Sequence, residues 1–502
     1  MAFSDVRDDP IPLLTAITAA LVITACVLHT PKKLLSKFFH ILLHYTNRVR
    51  SVDGTFTLDG PKYVWPYGNT KQQFYDAHKH SQLWSEQYGQ IYRIWSGLSP
   101  EVVITTPADV AKFYSDASHH IRVFGQRAGW VFHQVLGEGI GFIDHGDWRR
   151  VRKCMDPLMA NGVATKQLPQ INQSAQEFVD RLGNDQVTVI CAINAVMNFP
   201  LLETSRALFG DMNEVEQTEL LAIGEKYMKI IRSFFADGPF CRGFRYWRPA
   251  SKLRSTTREY LHRWDTFHRN LVHSRRDQPE LPIMKLWKRV EEGIITRNEL
   301  LQSITESTYT NIDITAHVIV TTCVLVTTDE NTQKDLEIEI KSQRHDQDRY
   351  IGRTDTLLHF VLLEALRLQP AVPFTLSEAA NIDKELGGFR VPQGTSVTTD
   401  TFAINVRNPF WGPDRTQYRP LRFQGLTAGE LMHNLHTFGY GSRKCLGKHF
   451  AEKQLRALIM HLFHQYDVRW CNRAETTSSE FDDDRSASIC VPDVKLSLTR
   501  RR

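Results

Sequence analysis

The sequence predicts a mainly α-helical catalytic domain with a small β part, preceded by one N-terminal transmembrane helix. Three observations lead there. Residues 11–28 run for 18 positions without a charge. Helical patterns dominate from Trp148 to about Gln369. Strand-like stretches are short: "GQIYRIWSG" and "EVVITT" after Gly89, and "FRVPQGTSVTT" after Phe389.

The uncharged run reaches roughly 27 Å as a helix, against a hydrocarbon core of about 30 Å. Asp5, Asp8 and Asp9 precede it with Arg7, and Lys32, Lys33 and Lys37 follow. The positive-inside rule then places the bulk of a single-pass protein in the cytosol. The acidic front end argues against a cleaved signal peptide and against reading "ITAC" at Cys26 as a lipidation box. Residues 34–43 form a second apolar stretch with basic neighbours, suited to a membrane surface. The expected division is an anchor over 1–30, a basic, Pro/Gly-containing linker over 31–60 and a catalytic domain over 61–502. Within that domain "TPADVAKFYSD" opens with Thr and Pro, a helix start. Another helix follows Cys445, and "EFDDDRSAS" reads as a solvated loop before a last strand. No internal repeat is found.

A chain of 502 residues buries a large core without disulfides. Apolar content of 42% and charge of 23% are ordinary for a globular protein. Net charge is +5, and no basic block is interleaved with aromatics, so no nucleic-acid partner is expected. Eight scattered cysteines contain no C-x-x-C pair. That excludes the usual zinc spacing and fits reduced thiols.

One cysteine is set apart by its surroundings, "TFGYGSRKCLGKHFAEK" over residues 437–453. Gly439, Gly441 and Gly447 permit turns closed to other residues, which lets backbone N–H groups converge. Arg443, Lys444 and the start of a helix favour a thiolate at Cys445. The stretch suits a cysteine thiolate acting as an axial metal ligand.

Phe438, Gly441, Arg443, Cys445 and Gly447 complete F-x-x-G-x-R-x-C-x-G, which resembles the haem-binding loop of cytochromes P-450. "LLEALRLQP" carries Glu364 and Arg367 on one helical face, similar to the family's E-x-x-R helix, about 80 residues before the cysteine. "YRPLRF" puts Arg422 in the place of the family's P-x-R-F arginine. "WRRVR" puts Trp148 and Arg152 in the place of a W-x-x-x-R pair that meets a haem propionate. The resemblance spans roughly residues 60–498. It implies the cytochrome P-450 fold (α+β) and haem b, iron-protoporphyrin IX held by Cys445. It implies a structural Glu364–Arg367–Arg422 cluster, with Arg443 on the second propionate.

Two departures stand out. Oxygen-activating members carry [AG]-G-x-[DE]-T over the haem, and here the stretch is "TNIDIT". Asp313 matches the acid, 51 residues before Glu364, but Ile314 occupies the alcohol position. Thr310 shares the face of Ile314; Asn311 and Thr315 share the neighbouring one. Two readings stay open: Thr310 or Asn311 relays protons with water, or Asp313 and ordered water suffice. The second departure lies in "VPFTLSEAA", where no basic residue stands near Ser377 to meet a propionate. Leu421 also replaces the usual glutamate of the P-E-R-F motif.

The resemblance implies a monooxygenase that oxidises a small apolar or aromatic natural product. Rebound of oxygen gives hydroxylation; escape from it gives ring closure or coupling. Electrons would come from NADPH–cytochrome P-450 reductase at the endoplasmic reticulum membrane. Arg149, Arg150, Lys153, Lys444 and Lys448 are the expected docking cations. Residues 124–132, 234–240 and 372–376 are the expected pocket segments. The anchor and reductase dependence are similar to fungal secondary-metabolism enzymes. "NIDIT" resembles members that tailor diketopiperazines or other amino-acid-derived compounds. The rivals are a reductase-independent isomerase or dehydratase, and a non-catalytic haem-binding protein. A sequon at Asn172 offers a check, because a cytosolic domain leaves it unglycosylated.

Overall fold

The computed structural model describes residues 31–501 apart from residue 75 and residues 124–128, 184–186, 237–251 and 472–493; the side chains of 234–236 also lie outside it. The expected transmembrane helix falls outside the described residues, as does the "EFDDDRSAS" stretch.

Helix α1 (Lys32–Thr46) opens the described chain. It lies in the stretch expected to be a linker, and it has two apolar faces. Leu35 and Leu43 are buried, and Phe39 stacks on Trp65 with ring centres 4.6 Å apart. Leu34, Phe38, Ile41 and Tyr45 recur on the other face and stay exposed. Strand β1 (Arg50–Ser51) then pairs antiparallel with a late strand, tying this segment to the domain.

Strands β2 (Ile91–Ser96) and β3 (Ser99–Ile104) form the expected hairpin. Strand β4 (Ile121–Arg122) leads towards helix α2 (His145–Met155), which buries Trp148, Val151 and Met155. Strand β5 (Val187–Cys191) and helices α3 (Asn198–Phe209), α4 (Glu214–Ala236), α5 (Lys252–Ser274) and α6 (Pro282–Glu291) follow. Helix α7 (Arg297–Thr308) is started by a capping box, in which Thr296 and Glu299 exchange side-chain and backbone bonds. Its continuation, α8 (Asn311–Thr328), lies beyond an irregular turn at Tyr309–Thr310. At that turn Ile312 N reaches back to Tyr309 O, three residues rather than four.

Helices α7 and α8 taken together, Arg297–Thr328, are long and apolar enough to pass for a membrane span, but the most apolar part is mostly buried as core. Helix α8 packs on α3, on helix α9 (Leu357–Leu368) and on helix α10 (Lys448–Gln465). The last strands are β6 (Glu378–Ala379), β7 (Lys384–Leu386), β8 (Phe389–Val391), β9 (Ser396–Thr399), β10 (Tyr466–Trp470) and β11 (Lys495–Arg500). They complete three sheets ordered β2-β3-β9-β6-β4, β1-β8-β7 and β10-β11-β5. Strand β9 runs parallel to β3, and the other pairings are antiparallel. The helical majority and short sheets match the sequence expectation.

Candidate active site

Cys445 sits on a loop whose shape is set by glycine. Gly439 and Gly441 have φ of 78° and 73°, a region costly for side chains with a Cβ. Cys445 N donates to Phe438 O at 2.8 Å and closes the turn. Gly447 differs, with an ordinary φ of −81°. A Cβ there would stand beside the sulfur, 4.0 Å from Sγ.

The sulfur is reachable by solvent, yet the protein crowded around it makes burial the largest influence on its acidity. Burial pushes the thiol up, while the Gly447 and Lys448 amides and Arg152 pull it down. The polypeptide alone therefore does not hold a free thiolate as strongly as the sequence suggested. Its N–H groups suit a sulfur whose negative charge is shared with a metal.

The predicted proximal residues come together. Arg443 lies over Trp148, 4.9 Å from the ring centre, and donates to Ile143 O at 2.7 Å and Asp144 at 3.0 Å. Arg152 donates to Lys444 O at 3.2 Å, binding α2 to the residue before the cysteine.

The Glu364–Arg367–Arg422 cluster is buried and fully used. Glu364 receives Arg367 at 2.7 and 2.8 Å, Arg422 at 2.9 Å and Arg419 N at 2.9 Å. A charge in such a place needs compensating donors, and here Oε1 receives three and Oε2 one. The cluster also carries the loop. Arg367 holds Asn405 O at 3.1 Å, and the Asn405 side chain bonds both N and O of His436, nine residues before the cysteine. Leu421, in place of the usual glutamate, is exposed and takes no part.

The distal candidates divide into two sets. Thr310 Oγ1 lies 2.9 Å from Tyr227 Oη on α4. Thr315 donates to Asn311 Oδ1, and Asn311 donates to Thr204 on α3 at 3.3 Å. Thr315 and Asn311 thus share a face, one turn apart. Asp313 and Ile314 are half-buried.

Sequence reasoning missed two residues. Arg122 supplies a guanidinium where none was expected. It holds Glu378 at 3.1 Å and Leu376 O at 3.1 Å, beside Ser377, and its buried Nε has no partner among the described residues. It lies 255 residues from Ser377 along the chain, so no local motif could have found it. The other is Glu306, two helical turns before Asp313, whose Oε2 accepts from Gly141 N at 2.8 Å.

Several expected pocket aromatics are core. Phe132 packs on Phe142 at 4.6 Å, and Phe374 on Trp84 at 6.2 Å. Residues 124–128 and 237–240, and the side chains of 234–236, lie outside the described residues. The Asn172 side chain is occupied by Asp348 at 2.7 Å and His461 at 2.6 Å. A missing glycan there would therefore say nothing about topology.

A sulfur met by backbone N–H groups, beside guanidiniums suited to carboxylates, defines a haem-thiolate class of protein on this fold. The cytochrome P450 family model matches residues 58–498, and the chain belongs to that family. It is similar to the cytochrome P450 monooxygenase hasH of Aspergillus fumigatus, with 34% identity covering 98% of this chain and 93% of that protein. It is also similar to sirC of Leptosphaeria maculans, at 31% identity over 97% of each chain. With gliC of Aspergillus fumigatus identity is 29%, over 83% of this chain and 84% of that protein; both are described as cytochrome P450 monooxygenases. The chain is accordingly an oxidoreductase of the monooxygenase type, with a haem-thiolate cofactor, a redox partner and a small-molecule substrate.

The residues fit that cofactor. The unpartnered Nε of Arg122, with Arg443, Arg152 and Trp148, offers N–H donors for carboxylates. Gly447 leaves the space beside the sulfur free of a side chain.

Proposed function

We propose that the protein uses haem b to oxidise a small apolar or aromatic intermediate of fungal secondary metabolism, a diketopiperazine or other amino-acid-derived compound. The outcome is hydroxylation or oxidative ring closure or coupling. The observation that carries the reading is the Cys445 sulfur, faced by the Gly447 and Lys448 amides on a loop that Arg152 ties to α2 through Lys444 O. When bound, the haem supplies dioxygen activation and hydrogen abstraction, with electron density pushed from the thiolate.

The chain's own residues position and supply. Arg443, Arg152, Trp148 and Arg122 would hold the propionates. The Glu364–Arg367–Arg422 cluster keeps the loop in register. Thr310 Oγ1, tethered to Tyr227 Oη, and the Asn311–Thr315 pair are the sources of protons in place of an alcohol at Ile314, with Asp313 as the acid. Substrate class is supported by the resemblance of "NIDIT" and by the fungal sources of the relatives.

Electrons come from NADPH–cytochrome P-450 reductase, with the protein anchored in the endoplasmic reticulum membrane and its catalytic domain in the cytosol. The uncharged run at 11–28 and the exposed apolar face of α1 support the membrane reading. Arg149, Lys153 and Lys444 are exposed and available to an acidic partner. Lys448 is half-buried near Glu452, and Arg150 is engaged by Glu299 at 2.6 Å and Asp147 at 2.7 Å. Beside α2 a groove of about 1320 Å³ adds Arg269, Arg276, Lys285 and Lys288.

Comparative mass spectrometry of the producing cell with and without the gene tests the reading. A product one oxygen heavier than the accumulating intermediate means hydroxylation. Loss of two hydrogens, or a doubled mass less two hydrogens, means ring closure or coupling. Ile314 favours a second reading, a reductase-independent isomerase or dehydratase. Turnover of the intermediate without NADPH would establish it and overturn the first.

A further inference from the structure

Two tyrosine–threonine pairs lie close together where α4 and α5 meet the end of α7, and they differ in one bond. Tyr260 Oη on α5 is 2.9 Å from Thr305 Oγ1, and Tyr227 Oη on α4 is 2.9 Å from Thr310 Oγ1. Both tyrosines are buried, and neither hydroxyl has another hydrogen-bond partner among the described residues. A buried phenol O–H donates wherever an acceptor is in reach, so in each pair the tyrosine is the donor. Thr305 spends its own proton on Leu301 O at 2.9 Å, which leaves its oxygen to accept from Tyr260.

Thr310 spends its proton on nothing. Ser307 and Thr308 bond the carbonyl four residues back, at 2.9 and 2.7 Å, the ordinary habit of a hydroxyl inside a helix. The corresponding acceptor for Thr310 is Glu306 O, and no such bond is made among the described residues. Thr310 is also the N-cap of α8, but its backbone is helical and its side chain makes no capping bond. Its oxygen accepts from Tyr227, and its O–H is uncommitted on a half-buried residue.

Helix α4 is shaped to keep it so. Gly224 and Tyr227, three residues apart, share one face. A Cβ at Gly224 would come within 3.0 Å of Tyr309 Cε1, so the absent side chain admits that ring. Tyr309 stacks on Tyr227 with ring centres 5.4 Å apart, and its hydroxyl donates to Leu220 O at 3.0 Å. Both residues of the turn between α7 and α8 are thus held by α4: Tyr309 by its ring and hydroxyl, Thr310 by Tyr227.

We propose that Tyr227 is a positioning residue for the oxidation: by donating to Thr310 Oγ1 it keeps the threonine off Glu306 O and leaves its O–H free to donate at the reacting site. The inference rests on the reading of Thr310 as a proton source in place of an alcohol at Ile314, and the test separates the two.

Full-length haem-loaded enzyme in membranes is reduced and saturated with carbon monoxide, and the infrared C–O stretch is recorded in H2O and in D2O. An O–H donated towards the bound gas shifts the band on exchange. Tyr227→Phe removes one oxygen and keeps the ring on Tyr309. It is expected to move or split the wild-type band and to shrink the exchange shift, as Thr310 turns back to Glu306 O. Thr310→Val is expected to lose the same part of the exchange shift, and adding Tyr227→Phe to it to change nothing more. A wild-type band and exchange shift in Tyr227→Phe, with both altered in Thr310→Val, overturns the proposal and leaves Thr310 as a proton source. An equal effect of Tyr227→Phe with and without Thr310→Val also overturns it, because the tyrosine then acts through another group. No response to either variant removes the proposal and the reading of Thr310 together.

Discussion

On the cysteine side of the site, buried charges are matched one against another; on the helix above it, polar groups are matched with neutral ones. Glu364 receives four donors from three residues, and those arginines also hold backbone carbonyls. Across the cavity Thr310 pairs with Tyr227, and Asn311 with Thr204 and Thr315, all uncharged. Saturated ionic clusters are rigid and fail when one member is removed. Neutral pairs cost little to exchange. The first region therefore fixes a ligand, and the second can vary with the chemistry performed beside it.

The sharpest break of that contrast is Cys445→Ser. It should abolish the thiolate signature in the carbon monoxide difference spectrum while leaving the helical circular dichroism in place. Glu364→Gln comes next. It leaves buried arginines uncompensated and should cost about 3–5 kcal/mol, read by thermal unfolding and by haem content. A loss under 1 kcal/mol would mean that the cluster is not the rigid half.

The proximal loop also carries a pH dependence. His436 is buried, and its pKa falls to about 4. An unfolded-state imidazole takes a proton below about pH 6.5, which the folded one refuses. The stability present above pH 6.5 is thus lost as pH falls towards 4, by up to about 3 kcal/mol. Thermal midpoints between pH 7.5 and 5 should fall less steeply in His436→Gln than in wild type.

On the distal side Thr310→Val should cost only about 1 kcal/mol of stability. It should nonetheless lower product formed per NADPH consumed, because it removes the hydroxyl tethered to Tyr227. Unchanged coupling would transfer the proton role to Asn311 or Asp313. The smallest effect is expected at the proposed docking face. Lys153→Ala and Lys444→Ala should each weaken reductase binding by about 1 kcal/mol or less, in a salt-dependent way. Arg150→Ala should act more through its broken pair with Glu299, seen as lower stability.

The proximal half was legible because its residues lie in short motifs. The spacings of Phe438, Gly441, Arg443 and Cys445, and of Glu364 and Arg367, survive as local geometry: a turn, and one face of a helix. The i, i+4 pairing of Asn311 with Thr315 was legible for the same reason. Arg122 was not, since its approach to Leu376 and Glu378 depends on β4 pairing with β6. Nor was Glu306, an unremarkable acid in an amphipathic helix until α7 meets the glycines at 139 and 141. The apolar run at 34–43 was legible within the 31–60 stretch, but only the fold shows that one face of its helix meets Tyr63, Trp65 and Trp95.

By itself the sequence determined the family, the loop of the cysteine proposed as axial ligand and the Glu364–Arg367 pair, because each is written in residues a few positions apart whose mutual geometry a turn or helix dictates. Only the tertiary structure decided which guanidinium stands beside Ser377, which helix holds Thr310, and which acid meets the Gly141 amide. Those contacts join positions tens to hundreds of residues apart, and it is the packing of helices and strands, not the spacing along the chain, that sets their distances.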